Sequence, residues 1–190
     1  IAMKIIELAE DEVLTESMLS RKGALPASVI ASAAAIVEEV REKKDDALRA
    51  FESKFDHVDI ADFRVPQQVI DASLDKVGEE FLASCKKAEA QIRDFHQREV
   101  QQSWFTTRPD GTILGQKVTP LDSVGIYVPG GRAQYPSTVL MNAVPAKVAG
   151  VERIVMVTPP QADGKLSPYT LCAAKIAGVD EIYTVGGAQA

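Results

Sequence analysis

The sequence predicts an α/β chain: a helical N-terminal region over residues 1–102, then a β-hairpin and an incomplete βαβαβ parallel sheet over residues 103–190. Three observations predict it. Apolar residues recur three or four positions apart through the first half, the spacing of one helical face. Two extended runs flank Pro109-Asp110-Gly111, a turn signal. After Pro120, short β-rich runs alternate with helical ones, and one phrase recurs: AKVAGVERIVMV from Ala146 and AKIAGVDEIYTV from Ala174. Strands alternating with helices are the pattern of parallel crossover units.

In chain order, Val29, Ala33, Ile36/Val37, Val40, Ala47/Leu48, Phe51 and Phe55 form the first helical face. The charged stretch REKKDDAL interrupts it. Asp45 or Asp46 is expected to cap a second helix, because a carboxylate accepts from free backbone N–H groups. Ile70, Leu74, Val77, Phe81, Cys85, Ala88, Ile92 and Phe95 continue the helical spacing. Gly78 is expected to divide that run, since glycine is costly inside a helix. SWFTTRPDGTILGQKVTPL then reads as the hairpin. VGIYV, RIVMV and EIYTV read as strands, with PSTVLMNAVPAKVA and SPYTLCAAKIA as the helices between them. In each copy of the repeat a lysine (Lys147, Lys175) sits in the last helical turn, where positive charge suits the dipole. A glycine (Gly150, Gly178) follows, where helices turn left-handed. Pro145 lacks the N–H that would bond to the carbonyl of Met141, so a kink or break is expected between Met141 and Val144.

Bulk properties exclude several roles. The formal net charge is −6, and no Lys/Arg stripe marks a nucleic-acid partner. No apolar run approaches the roughly 18 residues of a membrane span. The N-terminal stretch IAMKIIELAEDEV is too short and too acidic for a signal peptide. Cys85 and Cys172 form no CxxC pair and read as buried thiols of a cytoplasmic protein. His57 reads as a surface turn residue and His96 as a helix-face residue. Neither has the neighbours of a four-ligand site, so no metal ligand is assigned within the chain.

Ligands of open α/β sheets bind beyond the carboxyl ends of the strands, and PGGRAQYPS follows VGIYV there. Gly130 and Gly131 permit close backbone approach or positive φ. A helix starting at about Pro136 or Ser137 would offer N–H groups to an anion such as a pyrophosphate. The spacing is not GxGxxG, so a ligand loop and a plain strand-to-helix turn both remain open. Arg132 is either a phosphate partner or a solvated loop residue.

Wording is more specific than spacing. VGIYVPGGRAQYPSTVLMNAVPAKVAGV, then TPP and AGVDEIYTVGGAQA, with KFD at Lys54–Asp56 and FH at Phe95–His96, closely resembles histidinol dehydrogenase over nearly the whole chain. The resemblance implies a fold similar to that of aldehyde dehydrogenases, with incomplete Rossmann-like domains. It implies a cytoplasmic, homodimeric, zinc-dependent oxidoreductase of histidine biosynthesis. Such an enzyme converts L-histidinol to L-histidine through L-histidinaldehyde with two NAD. It also implies NAD contacts at Tyr127 of the Tyr-x-Pro-Gly-Gly motif, which includes Pro129, Gly130 and Gly131, and at Gln189 of GGAQA.

Family chains are considerably longer, and their zinc ligands and proton-moving glutamate–histidine pair follow the region matched here. The chain is therefore read as a truncated, N-terminal portion with no catalytic residue. It is expected to hold no zinc, to be inactive alone, to bind NAD weakly or not at all, and to self-associate through an exposed last strand and apolar faces. Gln189 is expected to be mobile. The alternative is a non-catalytic module of the same fold that binds a nucleotide or a partner. One departure stands out. The family usually has glycine at the position of Lys44, so lysine must bear a strained backbone or let the helix run on.

Overall fold

Helical spacing in the first half becomes α1 (Ala27–Lys43) and α2 (Asp45–Phe51). These are followed by a π-helical turn at Glu52–Asp56. Next come α3 (Gln67–Asp71), a 3₁₀ turn at Leu74–Lys76 and α4 (Glu79–Gln97). The structure, a computed structural model, describes residues 7–9, 11, 13, 15, 25–131 and 133–190. Gly78 divides the long run as expected, and it does so as the N-cap of α4. The hairpin pairs β1 (Trp104–Thr107) with β2 (Ile113–Gln116), antiparallel, around Pro109-Asp110-Gly111. Then follow β3 (Ser123–Tyr127), α5 (Pro136–Val148), β4 (Arg153–Thr158), α6 (Pro168–Ala177), β5 (Glu181–Thr184) and a 3₁₀ turn at Gly187–Gln189. The three strands lie in the order β3-β4-β5, all parallel.

The core sits where α4, α5 and α6 cover this sheet. Val128, Val139, Ala143, Val144, Ile154, Met156 and Ile182 are fully buried in it. Burying the valine, isoleucine and methionine side chains among them contributes about 1.5–3 kcal/mol each. Ile70 and Cys85 of the helical half belong to the same apolar cluster, with Phe81, Ala88 and Ile92 packed against it. The helical half and the sheet therefore share one core. Cys85 and Cys172 are both buried thiols. Burial first, then the neighbouring Cys172 and Glu89, pushes Cys85 up to about 11. His57 lies exposed in a left-handed turn, and His96 is on α4, hydrogen-bonded to Glu99.

Three expectations change. Helix α5 is not broken at Pro145; it runs unbroken from Pro136 to Val148. The proline removes one N–H near the helix end, while Val139, Leu140, Ala143 and Val144 before it are buried and Ala146 and Val148 after it pack against the core, which holds the helix in place. Asp45 and Asp46 lie in the first turn of α2, and the cap position belongs to Lys44, with no side-chain cap bond. The outer edge of β5 is not open. Val65 N–H donates to Ile182 O at 2.9 Å, Thr184 N–H donates to Phe63 O at 2.7 Å, and Arg64 bridges Tyr183 antiparallel. The apolar face of α1 contains no fully buried residue.

Lys44 bears the strain. Its φ of 51° and ψ of −127° end α1, with its N–H donating to Val40 O. A side chain in such a sparsely populated region costs on the order of 1–3 kcal/mol. Lys44→Gly is expected to stabilise the chain by about 1 kcal/mol, after the greater freedom of glycine in the unfolded chain is subtracted. Urea melting of the two proteins checks this, and an unchanged or lower midpoint contradicts it.

Candidate functional site at the carboxyl edge of the sheet

Three strand ends converge at one edge of the sheet. Val128 extends β3 by donating its N–H to Val157 O at 2.9 Å, and Val185 extends β5 by donating to Thr158 O at 3.0 Å. Beyond them lie Pro129-Gly130-Gly131, Pro159 and Gly186-Gly187. Between these loops and the helical half opens a cleft of about 490 Å³. Tyr127, Gly130, Gly131, Pro159, Gly187 and Gln189 line it on the sheet side, and Ile36, Phe55 and Asp56 line it on the other. Four of the five residues singled out from the sequence, Tyr127, Gly130, Gly131 and Gln189, thus meet in one cleft. Pro129 is exposed in the same loop but does not line it. Arg132 lies outside the described residues.

The glycines are needed here for space and for backbone angle. A Cβ on Gly130 would lie 3.1 Å from Thr158 Oγ1 and 3.2 Å from Pro159 O. Gly131 and Gly187 adopt φ of 82° and 65°, a region that disfavours side chains. The start of α5 offers less to an anion than expected. Pro136 has no N–H, and those of Thr138 and Val139 donate to Tyr135 O.

Gln189 is not free. It is 5% exposed, its Nε2 donates to Glu52 Oε1 at 3.1 Å, and a 3₁₀ turn contains it. The expectation of a mobile Gln189 rested on the cost of nucleating a helix from two residues. A partner supplied by distant chain holds it instead. Gly186 N–H donates to the same Glu52 oxygen at 3.2 Å, and Gly187 N–H donates to Tyr127 Oη at 3.1 Å. The loop is clasped between a tyrosine on β3 and a glutamate from the helical half. Tyr127 is 45% exposed toward the cleft, so its ring stays available to a ligand while its hydroxyl holds the loop.

No motif in the sequence marks Glu52 as part of this site. It is 0% exposed, and its Oε2 has no partner among the described residues; neither does Gln189 Oε1. Burial pushes its carboxyl above the usual range. The hydrogen bonds from Gln189 and Gly186 pull it back, and Asp56 adds to the rise. The one signal available in the sequence was a glutamate directly after Phe51 on an otherwise apolar helical face.

The cleft has features that suit a dinucleotide. Small loops approach closely, an aromatic ring is exposed, and Gln189 Oε1 is a buried acceptor without a partner. For a metal the residues do not fit: among the described residues no group of three or more His, Cys, Asp or Glu side chains is placed to hold an ion.

Comparison with known proteins gives one family. A family model described as histidinol dehydrogenase matches residues 19–190. The histidinol dehydrogenase of Methanosarcina mazei is 45% identical over 188 residues, covering 98% of this chain and 43% of that protein. That of Clostridium acetobutylicum is 45% identical over 191 residues, covering 98% and 44%. The crystal structure of histidinol dehydrogenase from Elizabethkingia anophelis superposes with a TM-score of 0.84 at 30% identity, covering 92% of this chain and 40% of that one. The chain thus spans less than half the length of these relatives.

Proposed function

The chain belongs to the histidinol dehydrogenase family, and from that premise we propose that it forms the N-terminal part of an enzyme oxidising L-histidinol to L-histidine with NAD. In this reading it contributes one wall of the NAD site, in a cytoplasmic protein of histidine biosynthesis. The observation that carries the reading is the meeting of Tyr127, Gly130, Gly131 and Gln189 in one cleft at the carboxyl edge of a parallel sheet.

NAD, when bound, accepts the hydride. The chain's own residues bind and orient. Gly130 and Gly131 let backbone approach the dinucleotide, the Tyr127 ring offers a flat apolar surface, and Gln189 offers its unpartnered acceptor. Residues 103–190 are the platform, and the described helices between Ala27 and Gln97 are its helical cover. The donor set that would hold zinc is not found among the described residues. We assign no catalytic residue to this chain and read it as inactive alone.

The test is an NMR titration of this chain with NAD, run beside an assay of histidinol-dependent NAD reduction. Weak saturable shifts confined to Tyr127, Gly130, Gly131, Gly187 and Gln189 are expected, with no turnover. Tyr127→Ala should weaken the binding about tenfold, the loss of one well-used aromatic contact. Shifts elsewhere, or none at all, contradict the reading.

Self-association belongs to the same proposal. Trp104, Phe105, Ile113, Leu114, Val118 and Leu121 are exposed on and beside the hairpin. A two-stranded hairpin with bare apolar side chains is marginal in water and gains from being covered. Light scattering at rising concentration should show a dimer or larger species. Trp104→Ser with Phe105→Ser should shift it toward monomer, and a monomer at all concentrations contradicts the expectation.

A further inference from the structure

We infer that Glu52 is a positioning residue for the Gly186–Gln189 loop, an inference that rests on the reading of this loop as part of the NAD site. Three facts carry it. Glu52 is a fully buried carboxyl side chain whose two hydrogen bonds both go to this loop, to Gly186 N–H and to Gln189 Nε2. Those partners lie 134 and 137 residues away in the chain, so the contact joins the helical half to the strand ends. The loop's other hold is the Tyr127 hydroxyl.

The local backbone explains how a glutamate reaches there. Glu52 opens the π-helical turn Glu52–Asp56, which directly continues α2. The wider turn changes the direction of successive side chains. Phe51 is buried and stacks on Phe55, while Glu52 is itself fully buried beside them. Single π-turns inside helices recur where a side chain must be re-aimed.

Burying a carboxyl group is unfavourable unless it is hydrogen-bonded, so a fully buried one with its bonds directed at one loop is costly as mere packing. Its effect is to orient Gln189. The Nε2 is held by Glu52, which leaves Oε1 as the unpartnered acceptor of that amide. The amide also packs over Gly187, where a Cβ would lie 2.4 Å from Gln189 Oε1. Glu52 holds the amide from one side, and the missing side chain of Gly187 leaves it room on the other. A glutamine ligand whose amide is fixed in advance binds without the entropy of ordering it.

The experiment compares Glu52→Ala, Glu52→Asp and Glu52→Gln with the parent chain by amide hydrogen exchange and by NAD titration followed by NMR. Alanine removes the acceptor, aspartate withdraws it by one methylene, and glutamine keeps an acceptor at the same reach. Amides of Met156 and Val157 in β4 report overall stability. In Glu52→Ala, and less so in Glu52→Asp, Gly186 and Gly187 are expected to exchange at least tenfold faster after the change at β4 is divided out, with NAD binding weakened about tenfold. Glu52→Gln should restore both to within about threefold. Loop exchange that rises no more than β4 exchange in the alanine and aspartate variants overturns the inference, whatever NAD does. A parent chain unmoved by NAD, with the loop effect intact, overturns the dinucleotide reading and leaves the positioning role standing.

Discussion

Gly186→Ala is expected to destabilise the chain by about 3 kcal/mol, the upper part of the range for adding a methyl group where none fits. The reason is space. A Cβ at residue 186 would lie 2.4 Å from Pro159 Cβ and 3.0 Å from Pro159 Cα. A proline ring cannot swing aside, and its backbone follows directly from β4, whose side chains are in the core. The chain can relieve the clash only by moving the loop, which withdraws Gly186 N–H from Glu52 and Gly187 N–H from Tyr127. For a domain of this size, the expected loss corresponds to roughly 6–12 °C in thermal midpoint. Gly125→Ala is the control: nothing lies within 4 Å of its added Cβ, and the change should be within about 0.5 kcal/mol of neutral. Calorimetry of the two variants decides it, and equal midpoints would remove the steric argument.

Glu52→Ala is expected to cost about 2–4 kcal/mol at acid to neutral pH, because Gly186 N–H and Gln189 Nε2 both lose their acceptor inside the protein. The pH dependence of the parent chain has a definite sign. Burial, the largest influence on Glu52, raises its carboxyl above the ordinary value of 4.5; the hydrogen bonds from Gln189 and Gly186 oppose the rise, and Asp56 adds to it. A carboxyl group raised in the folded state binds its proton more tightly there than in the unfolded chain. Its contribution is fully present below 4.5 and is lost as pH climbs through the raised folded value. Glu52→Gln has no proton to lose, so it removes this loss. Urea midpoints of parent and Glu52→Gln should diverge above pH 4.5, with the glutamine variant gaining relative to the parent as pH rises. Parallel pH profiles for the two proteins would show that Glu52 does not titrate in this way.

Both predictions concern contacts that no local pattern announces. Helix α4 could be read from Phe81, Cys85, Ala88 and Ile92, because helical spacing is local and the apolar face has to meet something. The strands and helices after Pro120 could be read for the same reason, and the repeat marked both left-handed glycines, Gly150 and Gly178, with φ of 89° and 81°. The wording of two motifs singles out Tyr127, Gly130, Gly131 and Gln189. That the motifs share one cleft follows from the parallel register of β3, β4 and β5, which puts the loops after all three strands at one edge.

The sequence by itself determined the α/β class, the order of elements and the family. These rest on periodicity, turn chemistry and motif wording, each confined to a few neighbouring residues. Only the tertiary structure decided that α5 stays whole through Pro145, since core packing on both sides outweighs one lost hydrogen bond. Only it showed that Phe63–Val65 cover the edge of β5, and that Glu52 holds Gln189. Each of these joins residues far apart in the chain, where the gain comes from burial and hydrogen bonds that exist only once the sheet and its helices have assembled.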